Sequence, residues 1–430
     1  MKFLHTSDWH LGARLGEYSR TAEQRLVLEE INSAADKLEA EFVIIAGDIF
    51  DNFNPPNEAV ELLYKELKKL ADDGRRPVIV IAGNHDSPDR IEAPDPLAAE
   101  CGIFFIGYPG FMRTGVELEC GTTVNFPEQG IVTIDMPEKP QVRILTTPYA
   151  NENRLRKQLD AENREEMISA ILGERWGSLA EKYCDNKGVN ILTAHLFMSA
   201  DSDAGELFAE ADSPPPEGGS AWGEPDEERS ILHPGGLELI DAAVLPPQIQ
   251  YTALGHLHRP QTVRKGRSPV VYSGSPLAFG LSEENQRKSV VLIELEPGGI
   301  AAIHREPLDS GKRILRKTFP GVDEAIDWLS DNPDVYVELI IECDSYISAA
   351  DRGRLYDSHR GITAIIPSGR MQDGKQGGVE RSAPDLTDSM EDLFKSFFEY
   401  SKGVQPDDRI IELFREVAAL GDEADAEASE

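Results

Sequence analysis

The segment Lys2-Phe3-Leu4-His5-Thr6-Ser7-Asp8-Trp9-His10-Leu11-Gly12 runs from a short apolar stretch straight into a polar cluster. Lys2–Thr6 reads as a strand, and Asp8 and His10, two residues apart, point to the same side of an extended chain. The same arrangement recurs down the sequence. Phe42–Ala46 opens onto Gly47-Asp48, Val78–Ala82 onto Gly83-Asn84-His85-Asp86, Val189–Ala194 onto His195, and Tyr251–Leu254 onto Gly255-His256-Leu257-His258. Between the early strands, Arg20–Leu38 and Asn57–Leu70 carry apolar residues at helical spacing, such as Leu62, Leu63, Leu67 and Leu70. Strands alternating with amphipathic helices predict an α/β fold, in which a sheet brings its strand ends to one rim. Ile103–Gly107, Val142–Thr146, Val270–Ser273 and Ser289–Leu295 extend the sheet system to about residue 295.

Composition bounds what such a fold does. The 430 residues, 40% hydrophobic, suffice for two or three domains. Asp and Glu outnumber Lys and Arg by 77 to 43, a net charge of −34, which excludes a polycation that wraps nucleic acid by charge alone. No apolar run approaches the roughly 20 residues that cross a bilayer. The N-terminus meets charge too early for a secretory signal. Four cysteines, Cys101, Cys120, Cys184 and Cys343, form no CxxC pair, which argues against a zinc ribbon and a disulfide framework. The reading is a soluble, cytoplasmic protein.

Along the chain, residues 1–300 form the domain that carries the motifs. Within it, 201–228 holds ten acidic residues and no Lys or Arg, with Pro214-Pro215-Pro216 in the middle, and reads as a mobile insertion. From 301 to 370 the pattern changes to a small α+β domain, with a helix over Val322–Leu329 and strands over Val335–Glu342 and Ile362–Pro367. Residues 371–385 read as a linker, and 386–420 as two amphipathic helices bearing Met390, Leu393, Phe394, Phe397, Phe398 and then Ile410, Leu413, Phe414. An acidic tail, 421–430, ends the chain.

The chemistry lies in the strand-end clusters, which hold five of the nine histidines. Any one of them alone reads as a cap or a surface group. Together they offer carboxylate, imidazole and amide donors to one point. Two divalent cations roughly 3.5–4 Å apart require a bridging carboxylate and mixed nitrogen and oxygen ligands that leave positions open. Asp48 is the natural bridge, Asp8 and His10 chelate one ion, and His256 and His258 supply one imidazole to each. Mn²⁺, Fe or Zn²⁺ suit such imidazole-rich sites better than Mg²⁺.

The order D-x-H, G-D, G-N-H-D, H, G-H-x-H resembles the calcineurin-like metallophosphoesterase superfamily. The longer contexts Ala46-Gly47-Asp48-Ile49-Phe50-Asp51, Gly255-His256-Leu257-His258-Arg259-Pro260-Gln261 and Tyr272-Ser273-Gly274-Ser275-Pro276 are similar to the nuclease subunits of SbcCD-type DNA-repair complexes. The resemblance covers roughly residues 1–295; the later segments match in layout only, and 201–228 departs from the pattern. It implies an αββα sandwich with a small α+β capping domain and C-terminal helices. It also implies one ion held by Asp8, His10, Asp48 and His258 and a second by Asp48, Asn84, His195 and His256, with manganese as the metal. His85 would stand beside the scissile phosphate, oriented by Asp86. The expected activity is exonucleolytic and endonucleolytic hydrolysis of DNA. The expected partners are an SbcC-like ATPase docking on the terminal helices and a second copy of the chain, giving a homodimer within a heterotetramer. That homodimer would use the helix bearing Ala59, Val60, Leu63 and Leu67 and the segment around Ile91.

Plainer readings accompany these. His5 reads as a packed core histidine and Trp9 as a packing residue. His233, His304 and His359 have no motif around them. Arg14, Arg20, Arg25, Arg259, Lys265, Arg267, Arg287 and Lys288 are candidates for a phosphate track. A cyclic-nucleotide phosphodiesterase or other small-molecule phosphatase would share all five motifs but needs no cap and no terminal helix pair. A non-catalytic scaffold would be expected to lose ligands, and here every position is filled.

Overall fold

The computed structural model describes residues 1–155, 164–199, 239–284, 286–343 and 347–369, together with residues 394, 395, 398, 406, 409–411 and 414. The acidic insertion 201–228, the linker 371–385, the tail 421–430 and most of the helix pair 386–420 lie outside the described residues. The chain divides into two units, Met1–Leu315 with Asp334–Tyr336, and Arg316–Pro333 with the residues from Val337 onward.

In the first unit a six-stranded sheet has the order Ala302–Pro307, Ser289–Glu294, Lys2–Thr6, Phe42–Ala46, Val78–Ile81, Ile103–Ile106. Its last four strands are parallel. Ala302–Pro307 belongs to this sheet, so the first unit runs past residue 300. The strand Phe42–Ala46 shows how the sequence specifies layering. Phe42, Ile44 and Ala46 face a second sheet, whereas Val43 and Ile45 face helices, so both sides are buried and the run is apolar throughout. The helices Thr21–Lys37 and Asn57–Leu70 cover that outer face through Val27, Leu28, Ile31, Leu62, Leu63 and Leu67.

The second sheet has eight strands, with Tyr251–Gly255, Val189–His195 and Val142–Thr147 at its centre, running parallel. Its inner face supplies Ile144, Ile191, Tyr251 and Val271 to the core shared with the first sheet, where Phe3 and Phe42 stack at 4.7 Å. The helix Arg164–Tyr183 packs Ile168, Leu172 and Trp176 on its outer face. The result is the four-layer αββα sandwich. His5 is a core residue, as read. Its ring donates to the Leu254 carbonyl at 3.1 Å and accepts from the Tyr251 hydroxyl at 3.0 Å, and burial pushes its pKa down to about 3, so it stays neutral.

The residues named for self-association have another use. Ala59, Leu63, Leu67 and Ile91 are all buried in this unit's own core, with Val60 packed against it. An amphipathic stripe has the same spacing whether its partner is another chain or its own sheet, and here the sheet takes it. Large apolar side chains left outward include Leu97, Leu26 and Phe53.

A three-stranded sheet has the order Arg313–Phe319, Val335–Cys343, Ile362–Gly369, the last two parallel; the second unit holds these strands from Arg316 and Val337 onward, with helices Val322–Asp331 and Ala349–Ser358. Within 386–420, the rings of Phe394 and Phe414 stack at 4.1 Å. Among the described residues no helix is long and apolar enough to cross a membrane.

Candidate metal centre

Asp8, Asp48, Asn84, His195 and His256 all follow or end strands at one rim of the sandwich, and the backbone there is bent sharply to aim them inward. Asp8, His10, Asp48 and His256 have φ of 55°, 43°, 49° and 103°. Non-glycine residues avoid this left-handed region, and such strain persists only where the surroundings hold it in place. Gly47 takes part with φ 95°, and a Cβ there would lie 2.2 Å from His195 Nδ1. Gly255 serves differently: its Cβ would lie 1.9 Å from the Ala46 carbonyl, so glycine lets the two sheets approach where their ligands meet.

Hydrogen bonds between loops then fix the donors. Asp8 Oδ1 accepts from the His256 amide at 2.9 Å, and Asp48 Oδ1 from the His85 amide at 2.9 Å. His195 Nδ1 donates to the Ala46 carbonyl at 2.8 Å, which turns Nε2 toward Asn84 Oδ1 at 2.9 Å and Asp48 Oδ2 at 3.3 Å. Asn84 Oδ1 also faces His256 Nδ1 at 3.0 Å. On the other side, His10 Nε2 and His258 Nε2 face each other at 3.0 Å, and His10 Nε2 lies 3.7 Å from Asp48 Oδ2. Ligand atoms of Asp8, His10 and His258 lie within 4.8 Å of one another, as do those of Asp48, His195 and His256.

Whether these residues fit a pair of cations is tested by Asp48. It is fully buried, and its Oδ2 accepts no well-formed hydrogen bond although imidazole nitrogens approach from both ligand sets. A buried carboxylate oxygen without a donor is costly unless a cation meets it. Charge points the same way. Burial alone would raise Asp48, but the surrounding histidines, His195 first, hold it well below the usual carboxylate range. Burial would likewise lower His195, yet Asp48 holds it up to about 9, so the cluster calls for positive charge. Asp8, dominated by its own burial, is pushed up to about 6. All seven residues expected as ligands are brought together, and the shared Oδ2 of Asp48 gives them the form of two adjoining sites.

His85 lies beside them, its ring 4.8 Å from that of His10, and its Nδ1 donates to the Asp51 carbonyl at 2.8 Å. Here the expectation for Asp86 needs correction. Its carboxylate is taken up by the backbone amides of Ile49, Phe50 and Gly83 at 2.9–3.0 Å, so it pins the Asp48 loop to the Asn84 loop, and Asp51 orients His85 instead. A buried carboxylate two residues from a ligand satisfies the amides of a tight turn before it reaches a side chain.

Other supports had no signal in the sequence. Glu283, buried on the turn Leu281–Glu283, accepts from His258 Nδ1 at 3.0 Å, from Ser275 Oγ at 3.2 Å and from the Phe279 amide at 3.1 Å, and is paired with Lys288. Burial would raise Glu283, but Lys288 and His258 outweigh it and hold it ionised far below the ordinary range. This carboxylate fixes the His258 tautomer so that Nε2 faces the centre. Arg154 brackets the Asn84-His85 turn by donating to the Gly83 and Asp86 carbonyls at 2.7 and 2.8 Å. Gln24 holds the His10 carbonyl at 2.7 Å. Two members of the expected phosphate track are diverted into this framework: Lys288 serves Glu283, and buried Arg20 pairs with Glu23 at 2.7 Å.

The chain matches the calcineurin-like phosphoesterase family over residues 1–260. It is 33% identical over 433 residues to SbcD of the nuclease SbcCD from Bacillus subtilis, covering 99% of this chain and 100% of that one. The SbcD proteins of Rhodobacter capsulatus and Escherichia coli K12 are 30% and 26% identical over 318 and 376 residues, covering 74% and 86% of this chain and 71% and 82% of theirs. With the five motifs converging on one rim of an αββα sandwich and one relative matched along nearly the whole length, the chain belongs to the calcineurin-like phosphoesterase family, within its SbcD group.

Proposed function

We propose that this chain is a metal-dependent nuclease that hydrolyses phosphodiester bonds at DNA ends, working with an SbcC-like ATPase. The observation that carries the reading is Asp48, a fully buried carboxylate whose Oδ2 is approached by His195 Nε2 at 3.3 Å and by His10 Nε2 at 3.7 Å. Asp8, His10, Asp48 and His258 hold one ion, and Asp48, Asn84, His195 and His256 the other. Two divalent ions, manganese in this reading, supply the Lewis acidity and charge neutralisation that phosphodiester hydrolysis requires. The protein's part is placement: Asp48 keeps the two sites adjacent, and Glu283 and the Ala46 carbonyl fix the imidazole tautomers. Water adds to phosphorus as the bond to the leaving oxygen breaks; His85 Nε2 would give that oxygen a proton and regain one from the attacking water, while the Asp51 carbonyl holds the ring through Nδ1.

The stretch from 386 to 420 docks on the ATPase, and two copies of the chain form a homodimer in the cytoplasm through outward apolar residues such as Leu97. Extensive matching to proteins of a nuclease complex, beyond the 260 residues of the phosphoesterase family, favours DNA over a small diester. The test is cleavage of linear duplex and hairpin DNA by the manganese-loaded full chain with its ATPase, beside bis(p-nitrophenyl) phosphate and cyclic AMP. DNA cleavage that a chelator abolishes supports the reading. Turnover confined to the small substrates refutes it.

A further inference from the structure

A pocket of about 400 Å³ opens beside the centre, lined by Arg259, Arg287, Lys288, Arg305, Gln286 and Ser289 together with two prolines. Its position follows from strand register. Ser289–Glu294 runs antiparallel to Lys2–Thr6, with Glu294 opposite Lys2 and Val291 opposite His5, so Ser289 stands at the end from which Asp8 emerges. Arg305 pairs with Val291 and Pro307 with Ser289, which sets the pocket's other wall on the same rim. Arg259 directly follows His258, the candidate ligand.

The lining is unusual for this chain. Acids outnumber bases by 77 to 43 overall, yet the pocket gathers four cations, and none of its described lining residues is acidic. Lys288 is committed to Glu283, the His258 carbonyl and Ser275. Arg287 is exposed at the mouth, while Arg259 and Arg305 stand in the walls, Arg305 also reaching the Tyr272 carbonyl at 3.5 Å; the three guanidinium groups line the space an occupant would fill. Guanidinium groups in a concave polar site suit phosphate, whose oxygens accept paired N–H donors. The volume is in the range of sites for small ligands and takes a phosphate with its sugar.

We propose that this pocket holds a phosphate of the bound nucleic-acid strand outside the scissile bond, seating the strand across the metal centre; this rests on the nuclease reading above. A released mononucleotide would offer the same chemistry, and the experiment separates the two. Arg287→Ala and Arg305→Gln are made singly and together in the full chain, leaving Arg259 untouched because it adjoins His258. Binding of a fluorescent, nuclease-resistant phosphorothioate oligonucleotide to the metal-loaded protein is followed by anisotropy at several salt concentrations. Metal content and bis(p-nitrophenyl) phosphate turnover are measured alongside, with a 5′-mononucleotide as inhibitor.

The double variant should bind the oligonucleotide about 10-fold more weakly. Its salt dependence should be shallower by about 0.7 for each single-strand phosphate that is no longer neutralised, with two metals and small-diester turnover unchanged. Unchanged oligonucleotide affinity and slope overturn the proposal, and if mononucleotide inhibition alone disappears the occupant is product and not strand. A parallel fall in small-diester turnover also overturns it, since the arginines would then be supporting the centre. If the wild type turns over the diester but neither binds nor cuts DNA, the nuclease reading fails. The mononucleotide arm then decides the pocket: loss of inhibition in the double variant keeps a phosphate site, and no change removes it.

Discussion

Glu283→Ala removes the carboxylate that His258 Nδ1 meets at 3.0 Å, and two effects of different kind follow. The first is on stability. Lys288, 7% exposed, loses its counter-charge inside the protein. Breaking a buried pair by removing one partner costs about 3–5 kcal/mol. The lower end applies here, because Lys288 Nζ keeps the His258 carbonyl at 3.1 Å, Ser275 Oγ at 2.9 Å and Gln286 Oε1 at 3.1 Å as acceptors. The second effect is on metal. Without this carboxylate His258 Nδ1 loses the acceptor that sets its tautomer, and loss of such an outer partner lowers metal affinity by about 10–100-fold. Thermal unfolding of the metal-free chain reads the first, and competition for Mn²⁺ with a chelating dye reads the second. Glu283→Leu with Lys288→Met separates them: removing both charges should recover most of the stability, since an apolar pair of similar volume is near neutral, while affinity stays low. If Glu283→Ala is destabilised yet binds both ions with unchanged affinity, Glu283 is only a counter-ion for Lys288 and the positioning role is wrong.

Asp48→Ala should take the metal content from two ions per chain to none by elemental analysis, because both ligand sets share its Oδ2; retention of one ion would assign the bridge elsewhere. His85→Gln should keep both ions and lose about 10²–10⁴-fold in phosphodiester turnover, and a simultaneous loss of metal would make His85 a ligand. Away from the centre, Glu23 is held below its ordinary value of 4.5: burial alone would raise it, but Arg20's hydrogen bonds and charge outweigh that. A depressed folded-state pKa means that the stabilisation is present above 4.5 and is lost as the pH falls through the lower folded value. The melting-temperature advantage of wild type over Glu23→Gln should therefore be full at pH 6 and shrink below about pH 4; an advantage that is flat with pH would contradict the ion-pair account.

What the sequence reveals here follows from how local each feature is. Strands buried on both faces, such as Phe42–Ala46, announce themselves as continuous apolar runs, and a parallel sheet must bring the polar ends of such runs to one rim. For that reason the residues gathered around Asp48 were legible by position. Glu283 and Arg154 were not, and Asp51 and Lys288 carried no mark of the roles they play, because each acts through a tertiary approach with no spacing to show it. The same ambiguity explains the readings that changed. A basic residue near a motif looks alike whether it faces solvent, as Arg287 does, or neutralises a buried carboxylate, as Lys288 does. Leu63 and Leu67 look alike whether the stripe meets a partner or their own sheet. Asp86 follows His85 in sequence, but its carboxylate answers to the amides of Ile49, Phe50 and Gly83.

The central claim is a pair of ions bridged by Asp48 and surrounded by residues from five separate strand ends. Anomalous diffraction from crystals of the full chain grown with Mn²⁺ tests it directly. Two peaks about 3.5–4 Å apart, both within bonding distance of Asp48, with His258 on one and His195 on the other, are the predicted result. A single peak, or two that do not share Asp48, would contradict it.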